Sequence, residues 1–278
     1  MSDATVLSFG HHRTITVDGR TVEIWEPDHD RNVVRPLLLA HDGQNLFLPG
    51  RSFGGVPWGL AEALATLSED VVLPYVIAPW NRPDFGRASD YAPQSVIERS
   101  PQVQRGLNEY FSWTDALVGG AMPQWRGDEY VAWCADRVIP SVIAECDWSV
   151  DRSQVAVMGS SMGGLASAYA LACRPDVYAT ALCLSTHWTP GGHEGTELLV
   201  EMLPPASAGA RVWFDHGTEN LDATYGEFQV TADAVMRRLG YELGPQWQTR
   251  VYQGADHNEA SWAQRLPEIL RWWLRGDA

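Results

Sequence analysis

The chain has 278 residues, of which 45% are hydrophobic, so it can bury a large core. Its 20 basic residues are all arginine and are outnumbered by 35 acidic ones. The resulting formal net charge of −15 argues against nucleic-acid and membrane partners, because it repels phosphates and anionic lipids. Since the sequence contains no lysine, Schiff-base chemistry and a Ser–Lys dyad are excluded.

No stretch rich in Pro, Gly or Ser divides the chain, so we expect a single domain over residues 1–278. The N-terminus has no apolar signal region, and no apolar run approaches the length of a membrane span. These features favour a cytoplasmic location. Cys134, Cys146, Cys173 and Cys183 lack CxxC spacing, which predicts buried free thiols rather than disulfides or a zinc site.

Short runs around Asp18-Gly19 predict an antiparallel hairpin of residues 14–17 and 21–25 with a type I′ turn. Apolar and β-branched runs then predict strands at 36–40, 73–78, 154–158, 179–184, 211–215 and 248–253. Helical spacing of apolar residues predicts helices at 58–67, 128–145, 162–174, 223–239 and 259–274.

Strands that alternate with helices predict an α/β fold with a mostly parallel central sheet, helices on both faces and antiparallel edge strands from the N-terminal hairpin. In such sheets ligands bind outside the carboxyl ends of the strands. Residues 95–126 show mixed polarity and no clear period. They are interpreted as a lid, a pocket wall or an ordinary surface excursion.

The sequence Gly159-Ser160-Ser161-Met162-Gly163 contains Gly-x-Ser-x-Gly between a predicted strand and a predicted helix. This context predicts a nucleophile elbow, in which a tight turn presents the Ser161 hydroxyl at the helix N-terminus. The glycines are expected there because a Cβ at Gly159 or Gly163 would clash where strand and helix approach. A glycine-rich turn without chemistry is the alternative interpretation.

A serine hydroxyl needs a base, and in this arrangement the acid and the histidine follow the serine along the chain. His257 lies between the last predicted strand and the last predicted helix, which makes it the candidate base. The acid should follow strand 211–215, where Asp222 is preferred and Glu219 stays open as the alternative acid.

The second oxyanion donor should come from the loop after an early strand, here His41-Asp42-Gly43-Gln44-Asn45. The backbone N–H groups of Gln44 and Met162 are the predicted donors. Asp42 is interpreted as a loop residue bonded locally, and it is also a candidate for the substrate pocket. Among the 13 tryptophans, Trp80 and Trp188 fall near strand ends and are candidates for the substrate pocket; core packing is the alternative.

Together these motifs resemble the Putative esterase (esterase D-like) family of α/β hydrolases. The matching segments are His41–Phe47, Gly159–Gly164, Phe214–Thr218 and Gly254–His257 with Trp262, and they are distributed over nearly the whole chain. A further segment at residues 78–93 resembles the family's Asn…Arg…Tyr-x-Pro stretch. That resemblance implies the α/β-hydrolase fold, a Ser–acid–His triad and a pocket that includes Asn81 and Arg87.

The expected activity is therefore that of a serine carboxylic-ester hydrolase acting through an acyl-enzyme on a small or medium ester. An acyltransferase, a peptidase or amidase, and a non-catalytic ligand-binding homologue are the alternatives. The sequence has no nucleotide-binding glycine motif and no metal-ligand spacing of histidines, so no cofactor and no metal are expected. It specifies neither the acyl and alcohol groups nor the oligomeric state.

Overall fold

The computed structural model describes residues 7, 9–28, 33–118 and 124–275, and within 113–118 the backbone alone. Its eight-stranded sheet has the order β1-β2-β4-β3-β5-β6-β7-β8. The strands are β1 (His11–Val17), β2 (Arg20–Glu26), β3 (Arg35–Ala40), β4 (Tyr75–Pro79), β5 (Val150–Ser160), β6 (Thr180–Leu184), β7 (Arg211–Gly217) and β8 (Trp247–Tyr252). In this spatial order every neighbouring pair from β4 to β8, including those of β3, is parallel, whereas β1–β2 and β2–β4 are antiparallel. The predicted fold class is confirmed.

Ten α-helices accompany these strands in the part of the chain that the structure describes. They are α1 (Leu60–Ala65), α2 (Phe85–Tyr91), α3 (Gln94–Arg99), α4 (Pro101–Val118), α5 (Gly127–Trp133), α6 (Ile139–Cys146), α7 (Met162–Cys173), α8 (Gly192–Glu201), α9 (Gly226–Arg238) and α10 (Glu259–Arg275). No helix within those described ranges is both long enough and apolar enough to cross a bilayer.

The N-terminal hairpin forms through a two-residue turn. Val17 pairs with Arg20, and the two residues between them, Asp18 and Gly19, have φ of 48° and 81°. Positive φ at both central positions defines a type I′ turn, whose twist matches that of the flanking strands. The predicted hairpin and its turn are both confirmed.

The core lies on both faces of the sheet. Alternate residues of a strand point to opposite faces, so Leu37 and Leu39 join one apolar cluster while Leu38 and Ala40 join the other. Helices α1 and α10 cover the face that carries Leu38, and α5 to α9 cover the opposite face. Side chains at the strand ends are thereby held between two packed layers.

Several elements differ from the sequence-based prediction. No helix or strand was predicted within residues 95–126. Most of the described backbone of this span is nevertheless helical, in α3 and α4. The helix predicted at 128–145 is interrupted by a π-helical turn over Cys134–Val138. Pro140, which has no backbone N–H, lies two positions after this turn. All four cysteines are free, but only Cys134 and Cys183 are buried, whereas Cys146 is partly exposed and Cys173 is exposed.

Candidate active site

The turn between β5 and α7 holds Ser161 in a strained conformation, with φ of 57° and ψ of −123°. A Cβ at Gly159 would lie 2.5 Å from the carbonyl oxygen of Gly163, so only glycine fits there. The same expectation for Gly163 is wrong, because its added Cβ would meet nothing closer than 3.4 Å. Instead Gly164 is constrained, since its Cβ would lie 2.9 Å from Thr186 Oγ1.

His257 follows β8 and pairs with a carboxylate from the preceding strand-end loop. Its Nδ1 lies 2.6 Å from Oδ1 of Asp222, which sits in a short 3-10 turn and is fully buried. Burial by itself raises the pKa of the Asp222 carboxyl, but hydrogen bonds from His257 and two other donors outweigh it and lower the pKa below its ordinary value. The alternative acid Glu219 is exposed and contacts Thr218 instead.

The other oxygen of Asp222 is held by a second buried group. Asp222 Oδ2 accepts hydrogen bonds from the Gly217 N–H at 2.6 Å and from the Ser185 hydroxyl at 2.6 Å. Ser185 Oγ in turn accepts from Trp262 Nε1 at 3.0 Å and Arg265 at 2.6 Å. Because both lone pairs of Ser185 are occupied by N–H donors, its proton must point to Asp222. The charge of Arg265 thereby polarises the bond that orients the acid.

Sequence reasoning did not single out Ser185. The available signal is its position directly after β6, where the carboxyl ends of parallel strands converge.

Replacing Ser185 with alanine should lower kcat about tenfold with KM nearly unchanged, because Asp222 loses a charge-assisted hydrogen bond. The melting temperature should also fall, since two buried donors lose their acceptor. Ser167→Ala is the matched control: it removes another buried hydroxyl, bonded to the Gly163 carbonyl at 2.8 Å, without touching the acid. Equal kcat losses in both variants would show that destabilisation alone explains the effect.

Tyr225 also reaches the candidate nucleophile. This side chain is fully buried, and its hydroxyl interacts with the side chain of Ser161. The hydroxyl oxygen lies 2.6 Å from Nδ1 of His187. The Tyr225 ring meets the His257 ring edge-on, at 5.7 Å between centroids. Sequence patterns gave no sign of this residue, because nothing in its neighbourhood marks a tyrosine at the start of α9 as facing a strand-end loop.

Two buried histidines should make stability depend on pH. Burial lowers the pKa of His41 to about 4, and burial together with nearby His257 lowers that of His187 to about 3. Below about pH 6.5 the unfolded chain protonates these groups and the folded chain does not, so the free energy of unfolding falls as pH decreases towards 4. Each should cost about 2 kcal/mol at pH 5.

Urea unfolding at pH 7 and pH 5 measures this effect. In His187→Gln the difference between the two pH values should shrink by about 2 kcal/mol. An unaltered difference in His187→Gln would contradict the buried neutral state of that ring.

The loop after β3 brings a backbone N–H to the same edge of the sheet. Gly43 is required there, because an added Cβ would lie 2.0 Å from the carbonyl oxygen of Ala78. The next residue, Gln44, and the first helical residue of α7, Met162, have N–H groups with no acceptor among the described residues. Free N–H groups at a strand-end loop and a helix N-terminus can bind a developing oxyanion.

A cavity of 410 Å³ opens over these groups. It is lined by Asp42, Gln44, Asn45, Phe53, Asn81, Arg87, Ser160, Ser161, His257, Glu259 and Trp262. The two candidate tryptophans lie elsewhere: Trp80 donates to Glu23 at 2.8 Å, and Trp188 is buried against Phe214 and donates to Gln229. Trp188 lines a second, smaller cavity together with Met162 and His187, and bonding to the β2 carboxylate turns Trp80 away from the 410 Å³ cavity.

Asp42 is bonded over long range rather than locally, which corrects the sequence-based interpretation. Its carboxylate forms a bidentate ion pair with Arg87, with both distances 2.8 Å, and accepts from Asn81 at 2.6 Å. Burial raises the pKa of Asp42, but the Arg87 charge outweighs it, so the net shift is downward. The pair therefore stays ionised and fixes the loop that carries Gln44.

A serine hydroxyl at a strained turn, an imidazole held by a buried carboxylate and two free N–H groups are what nucleophilic acyl transfer requires. The model of the family described as "Putative esterase" matches residues 113–273, more than half of the chain.

Among curated proteins the chain is similar to acyl-protein thioesterase 1 of Cryptococcus neoformans var. neoformans serotype D, with 23% identity over 199 residues, 64% of this chain and 77% of that protein. Among solved structures it is similar to an IroE-like serine hydrolase from Shewanella oneidensis, with a TM-score of 0.66, 15% identity and coverage of 94% and 79%.

It is also similar to the enterobactin esterase FES from Shigella flexneri, with a TM-score of 0.60 and 16% identity. That match covers 94% of this chain but only 59% of the longer Shigella protein. These structural likenesses show the fold, and the family match goes further. The chain belongs to the Putative esterase family of α/β hydrolases.

Proposed function

We propose that the protein is a serine carboxylic-ester hydrolase in which Ser161 is the nucleophile, His257 its base and Asp222 the acid. The observation that carries this proposal is the 2.6 Å bond between buried Asp222 and His257, whose ring lines the same cavity as Ser161. A carboxylate in this position fixes the imidazole tautomer and stabilises its charged form.

In the proposed reaction His257 takes the proton of Ser161 while Oγ attacks the substrate carbonyl carbon. The N–H groups of Gln44 and Met162 hold the oxyanion of the tetrahedral intermediate. His257 then protonates the departing alcohol, which leaves an acyl-enzyme. A water molecule, deprotonated by His257, attacks the acyl carbon, and collapse of the second intermediate releases the acid and restores the serine.

The substrate class is a small or medium ester, in keeping with the 410 Å³ cavity. The names of similar proteins include an enterobactin esterase and an acyl-protein thioesterase, so oxygen esters and thioesters both belong in a first test. Neither relative is similar enough to assign its own substrate to this chain.

A matched substrate panel tests the proposal: an oxygen ester, a thioester and an amide that share one acyl group, each assayed with and without an added alcohol. We expect turnover of the first two, much slower amide cleavage, and free acid as the main product. Predominant acyl transfer to the alcohol would indicate an acyltransferase, and faster amide cleavage a peptidase or amidase. No turnover of any substrate, with a rise in melting temperature on binding, would indicate a non-catalytic homologue.

A further inference from the structure

One carboxylate in the cavity has no role in the proposed reaction. Glu259, the first residue of α10, lines the cavity together with Ser161 and lies two positions after His257. It is partly buried, and it forms no ion pair with any other residue that the structure describes. Its charge is therefore available to a bound molecule.

The remaining charges of the cavity are compensated. Arg87 is occupied by its bidentate pair with Asp42, and His257 faces Asp222. Because the Asp42–Arg87 pair is neutral as a unit, the carboxylate of Glu259 gives the cavity an excess of negative charge. A cationic group entering the cavity would be attracted and an anionic one repelled, the more so because the whole chain carries −15.

An aromatic ring at the same cavity adds a second feature. Phe53 is 76% exposed, the highest value among the large apolar side chains that the structure describes. Its backbone is fixed, because the Phe53 N–H donates to Asn45 Oδ1 at 2.9 Å, and Gly54 with φ of 61° turns the chain directly after it. An exposed ring and an unpaired carboxylate that line the same cavity are the groups that recognise organic ammonium ions.

We propose that this cavity selects esters that carry an organic cation, with Glu259 and Phe53 as the specificity-determining residues. The proposal rests on the proposed esterase function and narrows its substrate class. The competing explanation is that Glu259 only stabilises α10, because a carboxylate in the first turn interacts favourably with the helix dipole. In that case the enzyme should not discriminate between charged and neutral substrates.

The test compares acetylthiocholine with 3,3-dimethylbutyl thioacetate, an uncharged molecule of nearly the same shape. In the wild type, kcat/KM should be about tenfold higher for the cationic thioester, the scale of one charge pair in a partly solvated cavity. In Glu259→Gln the ratio should fall towards one, mainly through a higher KM for acetylthiocholine. Phe53→Leu, which keeps an apolar side chain but no ring, should lower the ratio several-fold.

Glu219→Gln is the matched control, since it removes the same charge from an exposed position outside the cavity and should leave the ratio unchanged. Equal kcat/KM for the two thioesters in the wild type, or an equal loss for both in Glu259→Gln, would overturn the cation selectivity while the esterase function stands. If the wild type turned over neither these thioesters nor neutral oxygen esters, the esterase function would be refuted, and the selectivity with it.

Discussion

Replacing Ser161 with alanine should lower kcat for ester hydrolysis by about 10⁵- to 10⁶-fold, the scale at which nucleophile removal acts in serine hydrolases. Alanine keeps the backbone and the oxyanion donors but cannot form an acyl-enzyme. Substrate affinity should change little, because the remaining cavity wall is intact. Residual turnover above the uncatalysed rate is expected from the oxyanion donors and binding alone.

The neighbouring serine provides the control for this substitution. Ser160 is the last residue of β5, is buried and lies in the same motif, so Ser160→Ala should change kcat by no more than a few-fold. Both variants should melt close to the wild type. If Ser160→Ala abolished turnover and Ser161→Ala did not, the assignment of the nucleophile would be incorrect.

Asp222→Asn should lower kcat by about 10⁴-fold, while Glu219→Gln should leave it within about twofold. The amide cannot stabilise the charged imidazole. Its oxygen would accept from the Gly217 N–H and the Ser185 hydroxyl, as Oδ2 of the carboxylate does now, so its NH₂ group would face Nδ1 of His257. The histidine would then adopt the wrong tautomer. Steady-state kinetics on one ester, with circular dichroism to verify folding, distinguish the two acids. The opposite order of effects would identify Glu219 as the acid.

The sheet and its turns were predictable because their signals are local. Period-2 and period-3.6 patterns located all eight strands and most of the core helices, and Asp18-Gly19 specified its own turn. The family was predictable for the same reason, since the segments around Ser161 and His257 are short and contiguous. Helices α2 to α4 and α8 were missed because their apolar residues are interspersed with Gly, Pro and polar side chains. Packing against the rest of the fold stabilises such helices.

The arrangement around the acid was less accessible to sequence reasoning. Spacing allowed both Asp222 and Glu219, because the order of residues on a loop does not determine which side chain turns inward. In the structure a 3-10 turn buries Asp222 completely and leaves Glu219 in solvent. Ser185 and Tyr225 reach the site only through tertiary packing, from loops separated in sequence by α8 and β7.

Covalent labelling with a fluorophosphonate tests the central proposal most directly. The intact mass of the wild type should rise by one adduct, and fragmentation of the peptide that contains both serines should locate it on Ser161 rather than Ser160. Labelling should be strongly slowed in His257→Ala, which lacks the base, and absent in Ser161→Ala. Ester hydrolysis that continues without any adduct, or an adduct on a different residue, would contradict the proposed mechanism.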